Sequence, residues 1–336
     1  MKIRIWIRLF VIAEVLLFIT SGCKKEISGS IPEVSTVGLS LITPISATCT
    51  AIVKSEGSPE VTEKGVCWSL GQSATVADNK VPGDNVTESQ DFTIDLCGLR
   101  SNTTYFVRAY AISASGTIYG NELSFTTPVD LSGEQGTVTD IEGNVYNTIG
   151  IGSQIWTAEN IRTTRLNDSS EITDARCFRC WCALLSPGYC FYDNVELNKN
   201  IYGNLYNWYT VNTMKLCPSG WHVPSDDEWT ILQTFLGGSL VAGEKMKVSE
   251  NNNADNNNTG NASGFTALPG GYRGDYGEYI NGGESSVFWT SNSASDDRAI
   301  YRAINTKSSE LTWGNNPVRW GASVRCVKNQ ENLITR

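Results

Sequence analysis

The 336-residue chain holds ten cysteines and a single histidine, and where these groups fall limits the chemistry it can do. Cys23 follows Thr20-Ser21-Gly22, small residues of the kind that let a lipoprotein signal peptidase seat the chain, and its thiol is the atom that takes a diacylglycerol. Without Cys23 nine cysteines remain, so at least one thiol is unpaired or bonded between chains. Cys177, Cys180, Cys182 and Cys190 form a local set. Four thiolates can hold zinc, but this Cys-x-x-Cys-x-Cys spacing lacks a second well-spaced pair. Two disulfides are therefore expected, as suits an oxidising compartment. A direct Cys180–Cys182 bond would be strained, so Cys177 and Cys190 are expected to partner those two, and their connectivity stays open. Cys49, Cys67 and Cys97 suit small buried hydrophobes, and at least one is expected to be so placed.

His222 stands alone, which rules out any mechanism needing two histidines. It could serve one Ser-His-Asp site. No nucleophile elbow is present, however, and it lies between Trp221 and a helix start, so a structural role is expected. Asp226, Asp227 and Glu228 resemble a catalytic or metal cluster, yet carboxylates in a helix's first turn are favoured by its dipole. Asp255-Asn256-Asn257-Asn258-Thr259-Gly260 begins like a calcium loop. Its twelfth position is Thr266, where a bidentate glutamate is needed, so a polar loop is expected and no metal or other cofactor is assigned. Paired carboxylates for glycoside hydrolysis meet only in three dimensions, and spacing leaves them open.

The elements that would position these residues fall into segments. Lys2, Arg4 and Arg8, then an apolar run from Leu9 to Ile19, have the layout of a secretory signal, with Glu14 a departure from it. The run is too short to span a bilayer comfortably. Residues 1–22 are read as this signal and 23–33 as a lipidated tether rich in Gly, Ser and Pro. Loss of residues 1–22 takes the net charge from −9 to −11. An acidic chain without a basic run argues against a nucleic-acid partner.

Residues 34–127 carry short Val/Thr/Ile/Tyr runs between turns, the pattern of an all-β sandwich. In Tyr105–Ala111, Tyr105, Val107, Ala109 and Ala111 share one face and Phe106, Arg108 and Tyr110 the other. Gly116 turns this run into a partner strand from Ile118 to Phe125. Residues 128–136 read as a linker. From 137 to 330 the composition shifts, with eight of the ten tryptophans beyond residue 150. Ser225 and Glu228 make a capping box ahead of Trp229, Leu232 and Leu236, with Gly237 as the stop. A second helix is predicted over Tyr202–Met214, and strands over Phe265–Leu268, Val287–Thr290, Ala299–Tyr301 and Ala322–Val327. Helices among antiparallel strands indicate an α+β domain. Trp156, Trp208, Trp221 and Trp229 are expected in the core. Tyr272, Arg273, Trp289 and Trp313 lie near Gly/Asn-rich turns and are the candidate ligand-binding residues.

Leu99-Arg100-Ser101-Asn102-Thr103-Thr104-Tyr105 resembles the tyrosine corner of fibronectin type III domains, with Gly65-Val66-Cys67-Trp68-Ser69 as the strand bearing the core tryptophan. Farther on, six blocks in order resemble the Fibrobacter succinogenes major paralogous domain family: Asp140–Tyr146, Trp156–Asn160, Tyr206–Tyr209, Leu216–Pro224, Leu268–Arg273 and Ser323–Val327. The family is regarded as related to C-type-lectin-like domains. That resemblance implies an envelope protein of Bacteroidetes or Fibrobacter type, two helices, two small sheets and termini brought together, with no established ligand. Because lectin-like folds return the last strand beside the early elements, it also implies a Cys217–Cys326 disulfide. The Glu-Pro-Asn, Gln-Pro-Asp and Trp-Asn-Asp tripeptides of calcium-dependent sugar binding are absent. Val223–Trp229 is similar to a stretch of formylglycine-generating enzymes, but only Cys326 stands where their reactive cysteine pair would be.

The expectation is thus a multidomain, non-catalytic lipoprotein of the cell envelope, anchored to a membrane, with the outer membrane favoured. Its lectin-like domain would take a glycan or a protein ligand. The alternatives are a structural envelope protein with no soluble ligand, and an enzyme distantly related to formylglycine-generating enzymes.

Overall fold

A computed structural model describes residues 32–54, 60–84, 91–248 and 260–330. Cys23, the signal segment and the Asn-rich loop up to Thr259 lie outside the described residues. The chain is mostly β. Its first seven strands are β1 (Glu33–Ser40), β2 (Ser46–Lys54), β3 (Val61–Ser69), β4 (Asn79–Pro82), β5 (Asp91–Cys97), β6 (Thr104–Ser113) and β7 (Gly116–Thr126). They form two antiparallel sheets, ordered β1-β2-β5 and β4-β3-β6-β7.

Alternation in β6 buries Tyr105, Val107, Ala109 and Ala111, and the first three meet Ala47, Cys49, Ile94, Leu96 and Trp68 between the sheets. Tyr110 points the other way but is also buried, because the loop carrying Ala74 and Val76 folds over it and Cys67. Its hydroxyl donates to Glu63 at 2.7 Å. The corner at the head of β6 closes as its sequence predicts: the Tyr105 hydroxyl accepts the Arg100 N–H at 2.9 Å. Cys49 and Cys67 are buried hydrophobes, and burial pushes each thiol up to about 11. Cys97 is exposed.

The connection after β7 is not a loose tether. Leu131 N–H donates to Gly152 O and Gly150 N–H to Glu134 O, each at 2.7 Å. A Cβ at Gly150 would lie 1.9 Å from Leu131 O, so only glycine admits this contact. Strand β8 (Gln135–Thr139) therefore starts inside the predicted linker and leads to β9 (Val145–Ile151) and β10 (Gln154–Thr157). Short elements follow: β11 (Thr173–Asp174), α1 (Phe178–Ala183), β12 (Gly188–Cys190), α2 (Glu196–Tyr202), β13 (Leu205–Tyr206), α3 (Trp208–Val211) and β14 (Trp221–His222). Then come α4 (Asp226–Phe235), α5 (Ser239–Met246), β15 (Gly270–Arg273), β16 (Tyr279–Gly282), β17 (Ser285–Ser293), β18 (Arg298–Asn305), β19 (Leu311–Pro317) and β20 (Val327–Lys328).

Two five-stranded sheets dominate this half, ordered β14-β20-β10-β9-β8 and β16-β15-β17-β18-β19, beside a small sheet β11-β12-β13. The last strand returns between early ones, with Val327 opposite both Trp156 and His222. Helix α4 carries the predicted capping box, and Trp229 and Leu232 from it join Trp156, Phe265 and Phe288 in one core. Gly237 follows at φ 102°, where glycine is the favoured residue.

Other expectations are corrected. Instead of two helices, five α-helices occur among the described residues. The helix predicted over Tyr202–Met214 is only α3, because asparagine side chains hold the backbone extended ahead of it. Asn204 Nδ2 donates to Arg162 O and Thr163 O, and Asn207 caps α3 by accepting from Thr210 N–H. Phe265–Leu268 forms no strand beyond a single bridge of Ala267 to Lys247, since the carbonyls of Phe265 and Thr266 accept from the buried Arg325. Of Ala322–Val327, only Val327 lies in a strand, with isolated bridges at Ala322 and Ser323.

Candidate functional site

The cysteines separate into two kinds. Cys217 and Cys326 form a buried disulfide spanning 109 residues. On chain-entropy grounds that contributes roughly 4 to 5 kcal/mol. Cys177 bonds to Cys180, while Cys182 and Cys190 are free, so one local disulfide replaces the two expected. Cys190 is held elsewhere: it is fully buried in β12 beside the Arg273 guanidinium and the Tyr279 hydroxyl. Burial pushes its thiol up to about 11 against the pull of Arg273.

The polar cluster at the head of α4 is occupied by structure. His222 Nε2 meets Glu228 Oε1 at 2.8 Å and Nδ1 meets Asn329 Oδ1 at 2.6 Å. The Glu228 contact raises the His222 pKa above its ordinary value. Burial pushes the Glu228 carboxyl up, but hydrogen bonds from His222 and Ser225 outweigh it and hold the carboxyl below its ordinary value. Asp226 pairs with the buried Arg302, whose Nε donates to Oδ1 at 2.8 Å. Among the described residues, no three His, Cys, Asp or Glu side chains stand close enough to hold a metal.

Of the four candidate aromatic and basic residues, Arg273 and Trp289 are not exposed. Both are 1 % accessible. The Trp289 indole N–H donates to Tyr206 O at 2.8 Å. Arg273 Nη1 donates to Ala175 O, Nη2 to Arg176 O and Nε to Gly277 O, with its guanidinium against the rings of Trp181 and Tyr279. Nearby Gly/Asn turns suggested exposure; long-range carbonyl acceptors draw both side chains inward. Among the tryptophans expected in the core, Trp156, Trp208 and Trp229 are buried, whereas Trp221 is half-buried.

Tyr272 and Trp313 do reach the surface, on opposite faces of one sheet. Trp313 is 64 % exposed and pairs with Arg302, on the face that packs against α4. Tyr272 belongs to the other face, and its ring stacks on Trp320 with centroids 4.5 Å apart and planes 12° from parallel. Both rings are half-buried. A bridge between Arg273 and Gly321, with N–H···O bonds of 2.8 Å in both directions, brings these neighbours together.

Tyr301 packs on the same face, directly opposite Gly314 in the β18–β19 register. A Cβ at Gly314 would meet the Tyr301 hydroxyl at 2.7 Å, so the glycine gives the tyrosine room to lie across β19. Burial raises the Tyr272 hydroxyl pKa, with Tyr301 and Glu278 adding to it. Tyr272, Trp320 and Tyr301 thus make a partly exposed aromatic face on a hydrogen-bonded sheet. Such a face offers flat apolar area with hydroxyl edges and little side-chain entropy to lose on binding. Sequence reading missed Trp320 and Tyr301. The signal available was the alternation of Tyr301 with Arg302 and the Gly321 that follows Trp320. A separate open groove of about 560 Å³ has a mixed lining that includes Thr137, Asn147, Thr148, Ile149, Ala158 and Thr266.

No curated protein matches the chain. Among solved structures, the sensor domain of the anti-sigma factor RsgI4 of Pseudobacteroides cellulosolvens is similar over 30 % of this chain and 76 % of that one, at 18 % identity and a TM-score of 0.24. The sixth fibronectin type III domain of human fibronectin type III domain containing protein 3 is similar over 32 % of this chain and 95 % of that one, at 20 % identity and a TM-score of 0.24. The Fibrobacter succinogenes major domain matches residues 149–328. That match takes in more than half of the sequence, and the chain belongs to the Fibrobacter succinogenes major domain family.

Proposed function

We propose that the chain is a non-catalytic lipoprotein of the cell envelope, anchored through Cys23, in which the β-sandwich spaces a C-type-lectin-like domain away from the membrane. The lectin-like reading is supported by the return of β20 between β10 and β14 and by the Cys217–Cys326 bond, which ties the end of the domain to its middle. The ligand is a carbohydrate, bound at Tyr272, Trp320 and Tyr301. The observation that carries this is the Tyr272–Trp320 stack, half-open to solvent on a rigid sheet, because a sugar ring presents C–H bonds that suit an aromatic face.

A non-catalytic role has support from the same geometry. His222 is engaged by Glu228 and Asn329, and Cys326, the residue nearest to a reactive position of formylglycine-generating enzymes, is buried in a disulfide. A glycan array with residues 24–336 tests the proposal. Trp320→Ala is expected to weaken a retained glycan about tenfold or more, equivalent to about 1.4 kcal/mol, while Trp313→Ala on the opposite face leaves it unchanged. Failure to retain any glycan would favour a structural envelope protein with no soluble ligand.

A further inference from the structure

The Cys177–Cys180 bond takes no part in the proposed ligand site, yet of the two disulfides among the described residues it is the exposed one. Cys177 and Cys180 are both exposed, whereas Cys217 and Cys326 are buried. Exposure is the property that separates exchangeable disulfides from structural ones, since the attacking thiolate must reach a sulfur along the S–S bond. The Cys177–Cys180 bond links residues three apart and so constrains little of the chain.

What holds α1 in place is something else. Arg273 donates to the carbonyls of Ala175 and Arg176, immediately before Cys177, and stacks on the buried Trp181 in the middle of the helix. The segment therefore keeps its anchors when the bond opens. Cys177 is also the better leaving group. Its Sγ accepts the Cys180 N–H at 2.9 Å, so negative charge on Cys177 has a donor.

We propose that Cys177–Cys180 is a thiol–disulfide exchange site that accepts reducing equivalents from an exported dithiol. One thiolate of the dithiol attacks Cys180 Sγ, and the S–S electron pair leaves on Cys177 Sγ as a thiolate. The second thiolate then attacks the partner's own sulfur in the mixed disulfide, releasing Cys180 as a thiolate. The partner is oxidised to its disulfide and this chain is reduced to two thiols, with two electrons transferred.

The test uses the full chain carrying Cys97→Ala and Cys182→Ala, so that neither of these two unburied free thiols exchanges with the bond or is alkylated beside it. Dithiothreitol is titrated in, thiols are trapped with iodoacetamide, and peptides are mapped by mass spectrometry. Cys177 and Cys180 are expected to become alkylated at dithiol concentrations at least about tenfold below those that open Cys217–Cys326, with the near-ultraviolet circular dichroism unchanged. With glutathione, a monothiol, the adduct is expected on Cys180 and the free thiol at Cys177. Opening of both disulfides together, or opening only as the dichroism collapses, would overturn the proposal. So would an adduct located on Cys177 with Cys180 released.

Discussion

At the scale of single residues, buried cations define this molecule more than its acidic surplus does. Arg325 is fully buried over the rings of Phe265 and Phe288, and burial pushes its pKa down to about 9. It keeps its charge at neutral pH because Asn160 Oδ1 and the carbonyls of Thr157, Phe265 and Thr266 accept its N–H groups. The guanidinium fork reaches all four; a lysine would not.

His222 is the residue whose behaviour can be followed by pH. Its folded pKa is raised, so its stabilising contribution is complete below about 6.5 and is lost as pH rises through the raised value. Glu228 is lowered, so its contribution is present above about 4.5 and is lost as pH falls through the lowered value. Thermal melts are expected to show the pair's contribution greatest between about 4.5 and 6.5. In His222→Gln the alkaline decline should flatten, and an unchanged profile would show that the pair contributes nothing.

At the scale of elements, α4 forms where it does because Ser225 caps it and Glu228 reaches back. Ser225→Ala removes the hydroxyl that accepts the Glu228 N–H and leaves the reciprocal bond to Ser225 N–H. The expected cost is about 1 kcal/mol, seen as a fall in melting temperature of about 2–4 °C for a domain of this size. This helix was legible in sequence because its signal is local. The segment Tyr202–Met214 was not, because its apolar spacing fits a helix while the partners of Asn204 and Asn207 lie at Arg162, Thr163, Ser186 and Gly188. The aromatic face was half legible for the same reason. Tyr272 could be marked by the turns around it, but its companion Trp320 is brought to it only by the bridge between β15 and Gly321.

At the scale of the whole molecule, two long-range ties organise the C-terminal half: strand β20 between early strands, and the Cys217–Cys326 bond. Replacing both cysteines by alanine is expected to lower the urea midpoint, by up to roughly 4 to 5 kcal/mol of unfolding free energy if chain entropy dominates. A change under about 1 kcal/mol would mean that the β20 pairing alone closes the domain. The proposed membrane attachment through Cys23 belongs to this scale too. Cys23→Ser is expected to abolish palmitate labelling and release the chain from the membrane fraction, and retained labelling would refute the anchor.

What the sequence determined by itself were the features written in neighbouring residues. These are the alternation of β6 and its tyrosine corner, the capping box of α4, and the ordered blocks that mark the family. Tertiary structure decided the rest. Arg273 and Trp289 look like surface residues until their acceptors at Ala175, Arg176, Gly277 and Tyr206 are known. Cys190 looks like a disulfide partner until it is found sealed beside Arg273 and Tyr279. The physical reason is common to all three. Desolvating a polar group is costly unless a partner receives it, and when that partner lies far along the chain, local pattern carries no trace of it.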